Sequence, residues 1–395
     1  MTAKRSMKLA GLAVAAGLAW AGAAGAADPG ITDTTIKLGM FGPLTGAVSI
    51  YGYPINNGAI AIYNETNAAG GINGRKIEIV HEDDGCDPAK TRAAVKKLIE
   101  QDKVFAIHGG SCSGGVNAAK DEFISGKVPF MVMAATLDAI SDPPNRYIFT
   151  TTLPGSGDGG IMLNFAKTVP NAKKIAIVRH QDDWANAKMK NISAGYAAAG
   201  LQIVADETLA RNATDATAQV LKVKAGNPDV VLFLLYPGES AVFLRDAEKY
   251  GVKGPFVGSN SVMDLLDLRE RTGSKTSVNN AYASAFLQGY VGDPALEKWT
   301  AIYRKHFPND KVQSLSFYGM SGALTMVDAM KRAGKDLTRE KLVDALEATK
   351  DGEAGPGYCK VTFGKDVRQG CLGGTIWGVK GDQIVNIGPS WPKTN

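Results

Sequence analysis

Histidine is scarce in this chain, four residues in 395, and so is cysteine. No CxxC pair and no HxxxH run occurs, so a metal centre built from closely spaced ligands has no basis in the sequence. Neither a metal nor another cofactor is expected. Past residue 27 no window approaches the ~18 uninterrupted apolar residues that a spanning helix needs. The formal charge of +5 includes Lys4, Arg5 and Lys8 and falls to +2 without them. That balance leaves no footprint for nucleic acid or an anionic membrane surface. Tandem repeats and flexible Ser/Gly/Pro linkers are also missing, so the chain should hinge between parts rather than wander.

What is present begins with a leader. Lys4, Arg5 and Lys8 precede an apolar stretch through Trp20 and a small-residue end at Ala24-Gly25-Ala26-Ala27. This reads as a signal peptide over residues 1–27, cleaved after Ala26 or Ala27, and an exported, periplasmic protein is expected. No cysteine sits at the cleavage point to carry a lipid. In an oxidising compartment Cys86, Cys112, Cys359 and Cys371 favour two disulfides. Of the three pairings, Cys86–Cys112 and Cys359–Cys371 are preferred, each stabilising by roughly 3 kcal/mol.

The remainder, more than one ordinary domain in length, alternates short apolar runs with amphipathic windows. Strands are read at 36–41, 76–81, 105–108 and 129–133, with helices near 53–69, 87–101 and 114–125. Such alternation implies an α/β fold with a parallel sheet covered on both faces. Asp87-Pro88 is a helix start, an acceptor at the N-cap followed by proline. After a turn-rich stretch at 153–160 the pattern restarts and runs to a strand at 281–286, which makes a second α/β lobe. Three helical segments follow, near 294–306, 315–333 and 339–349. The tail at 358–387 reads as an antiparallel ribbon.

Three motifs invite a chemical reading. Gly155-Ser156-Gly157-Asp158-Gly159-Gly160 satisfies GxGxxG but does not follow its lobe's first strand, and no clear ribose-binding acid lies about 20 residues on. A glycine-rich lobe crossing is preferred. Gly110-Ser111-Cys112-Ser113-Gly114 has the form of a nucleophile elbow, yet a nucleophilic Cys112 would need a free thiolate. Oxidation with Cys86 leaves instead an anion site, with backbone N–H groups at a helix start and the Ser113 hydroxyl as donors. Ala134 and Thr136 end a neighbouring strand and face the same crevice, although Thr136 reads equally well as a helix cap. Tyr51, Trp184 and Tyr236 recur at strand-end loops and would line a closing pocket. Arg179, His180, Asp182 and Asp183 are surface residues individually, kept as candidates by their nearness to Trp184.

The runs Gly39-Met40-Phe41-Gly42-Pro43-Leu44-Thr45-Gly46, Asn57-Gly58-Ala59, Asn67-Ala68-Ala69-Gly70-Gly71-Ile72-Asn73-Gly74-Arg75-Lys76 and Asp83-Asp84-Gly85-Cys86-Asp87-Pro88 resemble the leucine/isoleucine/valine-binding family of periplasmic receptors. The likeness continues through Ser111 to Ser113 and weakens in the second lobe. It implies a type I periplasmic binding fold, two Rossmann-like lobes joined by crossings near Leu153, Ala285 and Thr362. The first lobe then comprises 28–153 and 285–361, and the second 154–284 and 362–395. The resemblance places the carboxylate-binding serine on Ser113, an alanine and threonine on Ala134 and Thr136, the first-lobe aromatic on Tyr51 and the second-lobe tyrosines on Trp184 and Tyr236. It also matches the family's first disulfide to Cys86 and Cys112. One position departs: the acid that accepts a ligand ammonium falls on Asn260. Burying an ammonium without a counter-charge costs several kcal/mol. Either Asp182 or Asp183 supplies that charge, or the ligand is a carboxylate without an α-ammonium, the reading preferred here, such as an aromatic or short aliphatic acid.

Function follows as a transport receptor, a monomer that captures a small carboxylate between its lobes and docks on the permease subunits of an ABC importer without catalysing anything. A ligand sensor of the same fold and an exported Cys112 hydrolase are the alternatives.

Overall fold

The computed structural model describes residues 28–46 and 48–388. The leader read over 1–27 lies outside them. Among the described residues no helix is long and apolar enough to cross a membrane.

The first sheet is wholly parallel, in the order β2-β1-β3-β4-β5. Its strands are β1 (Thr35–Gly42), β2 (Lys76–Asp83), β3 (Ala106–Gly109), β4 (Phe130–Val132) and β5 (Ile148–Thr150). Between them run α1 (Ser49–Ala68), α2 (Pro88–Glu100), α3 (Ser113–Ala118) and α4 (Lys120–Ser125). The start of α2 is set by Asp87, whose carboxylate accepts the Lys90 N–H at 2.9 Å, with Pro88 in the first turn. The single helix expected at 114–125 is broken at Ala119 into α3 and α4, and the three-residue β5 is too short for its periodicity to show in sequence.

The second sheet has the order β12-β11-β10-β9-β8-β6-β7. Its helices and strands are α5 (Gly155–Ala166), β6 (Lys174–Arg179), α6 (Asp183–Gly195), β7 (Gln202–Thr208), α7 (Thr217–Gly226), β8 (Val230–Leu234), α8 (Pro237–Lys249), β9 (Phe256–Gly258), α9 (Leu265–Thr272) and β10 (Ala281–Ala285). Every residue of β8, Val-Val-Leu-Phe-Leu, is buried, as a central parallel strand with helices on both faces demands. The chain then returns to the first sheet's helices with α10 (Glu297–His306), α11 (Tyr318–Ala333) and α12 (Arg339–Glu347), and α11 packs along α1. Gly319 permits that approach, since a Cβ there would stand 2.3 Å from the Ile55 carbonyl oxygen of α1. The tail pairs β11 (Thr375–Lys380) antiparallel with both β10 and β12 (Gln383–Asn386), so the ribbon extends the second sheet and begins later than its sequence pattern. Both disulfides form as Cys86–Cys112 and Cys359–Cys371, with Cα atoms 5.5 and 5.4 Å apart.

The glycine-rich stretch expected as a crossing is instead the opening of α5. Its glycines weaken helix propensity but let α5 lie directly on α6. A Cβ at Gly159 would meet the Lys188 carbonyl oxygen at 2.0 Å, a rigid backbone neighbour. Gly159→Ala is therefore expected to destabilise the protein by about 1–3 kcal/mol through overpacking. An unchanged urea midpoint would show that the two helices part at no cost.

Candidate functional site

Loops at the carboxyl ends of the two sets of parallel strands face one another, the position at which open α/β sheets place ligands. They enclose a cavity of about 50 Å³, with Tyr51, Ser111, Ala134 and Thr136 on the first-lobe side and Trp184, Arg211, Tyr236 and Asn260 on the second. The Cys86–Cys112 bridge also lines it, so Cys112 holds no thiol for a hydrolase.

The first-lobe wall is a set of hydroxyls and backbone held at strand ends. The Ser113 hydroxyl oxygen accepts the Thr136 and Leu137 N–H groups at 3.1 and 3.3 Å, which fixes the loop after β4 and sets Ser113 behind the lining. Ser111 is the serine at the surface of the cavity, and its buried Oγ has no hydrogen-bond partner. Thr136 does not cap a helix through its side chain: its Oγ1 accepts from Lys188 Nζ at 3.2 Å.

The second wall is aromatic. Trp184 and Tyr236 stack with ring centroids 4.6 Å apart, and Tyr51 closes on Tyr236 from the opposite lobe at 5.3 Å. Burial, reinforced by the Glu239 charge, pushes the Tyr51 phenol up to about 12, and burial raises Tyr236 further still. Both hydroxyls therefore stay protonated and can donate. Tyr236 is positioned by His180, whose Nε2 accepts the Tyr236 N–H at 3.2 Å while Nδ1 donates to the Leu209 carbonyl at 2.9 Å. Burial holds that imidazole below its ordinary range, consistent with the neutral tautomer these partners require.

The charges differ from those expected. Asp182 caps α6 by accepting the Ala185 N–H and is paired with Arg211 at 2.6 Å, and Asp183 is exposed outside the lining. Neither presents a free carboxylate to the cavity. Arg179 is likewise engaged, with Asp206 at 2.8 Å. Arg211, which sequence reasoning passed over, lies with its guanidinium carbon 4.9 Å from the Tyr236 centroid and lines the cavity. Its signal was its place in the loop after β7, the carboxyl end of a parallel strand. Asn260 sits in a short turn after β9, its carbonyl accepting from the Tyr318 hydroxyl at 3.0 Å and its backbone N–H directed to Asp158 at 3.4 Å. The Asn260 Nδ2 is buried without a partner. Among the described residues the lining thus holds one cation, two unpaired polar atoms and no Asp or Glu.

Comparison with known proteins agrees with this architecture. The model of a family described as "Periplasmic binding protein" matches residues 35–370. An amino acid binding protein of Pseudomonas aeruginosa is 27% identical over 262 residues, 66% of this chain and 68% of that protein. The Leu/Ile/Val-binding protein homolog 8 of Brucella suis is 24% identical over 375 residues, 91% of each chain. Among solved structures, a fatty acid ABC transporter substrate-binding protein from Thermomonospora curvata superposes with a TM-score of 0.81 at 26% identity, over 93% of this chain and 95% of that one. The branched-chain amino acid transporter substrate binding protein from Streptococcus pneumoniae, in complex with isoleucine, gives 0.79 at 25% identity over 90% and 100%. With the family model spanning β1 to β10 and the cleft between the two sheets, the chain belongs to the periplasmic binding protein family, as a substrate-binding protein of the branched-chain amino acid transporter type.

Proposed function

We propose that this protein captures a small carboxylate lacking an α-ammonium, closes its lobes on it, and delivers it to the membrane permease of an ABC importer from the periplasm after removal of the leader at 1–27. The observation that carries the ligand reading is the makeup of the cavity wall, which among the described residues offers Arg211 and hydroxyl and amide donors but no carboxylate to receive an ammonium. In this reading Ala134, Thr136 and Ser111 meet the carboxylate, with Ser113 offering its proton from just behind them, and Asn260 meets an uncharged polar group. Tyr51, Trp184 and Tyr236 form flat walls for the ligand's apolar body. Relatives stand on both sides of the question, one named for fatty acid and one holding isoleucine.

The test is a thermal-shift and calorimetric panel of leucine, isoleucine, valine, benzoate, 4-hydroxybenzoate and short fatty acids. An acid from the second group at 100 times its dissociation constant is expected to stabilise the protein by about 2.7 kcal/mol, while the amino acids leave it unchanged. Micromolar binding of leucine or valine would overturn the non-amino reading and leave the receptor reading in place.

A further inference from the structure

Behind the cavity wall lies a charge pair that the proposed function does not use. Lys188 on α6 and Asp158 on α5 are both 0% exposed, with Nζ 3.6 Å from Oδ2. A buried pair of this kind contributes little net stability compared with apolar side chains of the same volume, so stability alone does not account for it.

The pair has a direction. Asp158 meets the cavity wall through a backbone group, taking the Ser284 hydroxyl on Oδ1 and, on Oδ2, the N–H of Asn260, which lines the cavity. Lys188 turns toward it: Nζ donates to Thr136 Oγ1 at 3.2 Å, lies 3.5 Å from the Trp184 carbonyl, and stands 3.9 Å from the Trp184 ring centroid. Thr136 and Trp184 are both part of the cavity wall. Burial by itself pushes the Asp158 carboxyl up and the Lys188 amine down, and each group's charge opposes the other's shift. The neighbours favour the charged state. Nζ meets only acceptors and a π face, and the carboxylate meets only donors, the partner set of an ammonium and a carboxylate.

An ammonium only donates, so Thr136 Oγ1 is the acceptor in that contact and its own proton is left for another partner. The threonine is also fixed along its backbone, its N–H held by Ser113 Oγ and its carbonyl by the Gly155 N–H at 2.7 Å. We propose that Lys188 is a positioning residue for the anion end of the cavity, holding Thr136 with its hydroxyl proton free for a ligand oxygen and placing the positive end of a buried ion pair one side chain behind a bound carboxylate. This rests on the reading that the Thr136 end of the cavity takes a carboxylate. In a site shielded from water such a charge acts strongly on an anion and weakly on a neutral amide of the same shape.

The test compares wild type with the paired variant Lys188→Met/Asp158→Asn, which removes both charges and buries neither alone. The probes are acetate, benzoate and leucine, each beside its amide (acetamide, benzamide and leucinamide), followed by calorimetry and, for weak binders, saturation-transfer NMR. Any of these acids that binds wild type is expected to lose about tenfold or more in the paired variant, while its amide changes by less than about twofold. Thr136→Val alone should weaken the acid comparably, and adding it to the paired variant should cost nothing further, because the two act through one contact. Equal losses for acid and amide, an unchanged acid affinity, or no acid binding to wild type would each overturn the proposal. Leucine binding with benzoate silent would defeat the non-amino reading, yet a loss confined to leucine over leucinamide would still support Lys188. Circular dichroism checks the fold; if the Met/Asn pair does not fold, Lys188→Gln/Asp158→Asn keeps hydrogen bonding without charge and carries the same comparison.

Discussion

Asn260→Glu is expected to weaken binding of the native carboxylate by about 100-fold, close to 2.7 kcal/mol. The residue lies in the dry part of the cleft, where its Nδ2 is buried without a protein partner and is available to a ligand. A carboxylate put there gains no cation of its own. Its backbone N–H already faces Asp158, whose charge is taken up by Lys188, so the new carboxylate finds a cation already paired and must be desolvated when the lobes close. It also repels an anionic ligand. The same substitution supplies an acceptor for an ammonium, so leucine should gain affinity as the native acid loses it. Calorimetry of both proteins against leucine, valine and the aromatic and aliphatic acids reads this crossover. If wild type itself binds leucine at micromolar concentration, the counter-charge must come from elsewhere. Asp182 is committed to Arg211, and Glu239 becomes the leading candidate, because its Oε2 is buried without a hydrogen bond and its charge already reaches Tyr51.

How far the sequence revealed this site depends on which interactions are local. The parallel strands were legible because a run such as Val230 to Leu234 has no polar face, and the cap of α2 because Asp87 and Lys90 are neighbours in the chain. The place of Asn260 in the cavity lining was legible through the resemblance. The helix opening at Gly155 was not, since glycine counts against a helix locally and the justification for Gly159, the backbone of Lys188, is 29 residues further along. The same distance in sequence hid Arg211, whose place is fixed by Asp182 and by the Tyr236 ring. Asp158 was read as part of a glycine-rich crossing and Lys188 was not singled out, and only the packing of α5 on α6 buries both. Ser111 and Ser113 are indistinguishable by type and spacing. The hydrogen bonds of Ser113 to the loop after β4 are what separate their roles.

The two disulfides are expected to differ in what their loss costs. Cys86 and Cys112 are separated by 26 residues and Cys359 and Cys371 by 12, so in the chain-entropy model removing either bond destabilises by roughly 3 kcal/mol, the longer loop slightly more. Stability alone hardly tells them apart. Their positions do. Cys112 precedes α3 and, with Cys86, lines the cavity beside Ser111, whereas Cys371 and Cys359 lie on the approach to β11, outside the lining. Cys86→Ser/Cys112→Ser should therefore lower both the denaturation midpoint and the affinity, because the Ser111 to Ser113 turn loses its tie to Cys86 in the loop after β2. Cys359→Ser/Cys371→Ser should lower the midpoint by a similar amount and leave affinity within about twofold, since neither cysteine lines the cavity. Urea denaturation and calorimetry on the two double variants make the comparison. Equal affinity losses would mean that the tail bridge governs lobe closure, and an unchanged affinity in the Cys86/Cys112 variant would mean that the backbone ladder between Gly110 and Ala134, at 3.1 Å, holds the anion-binding turn without the bond.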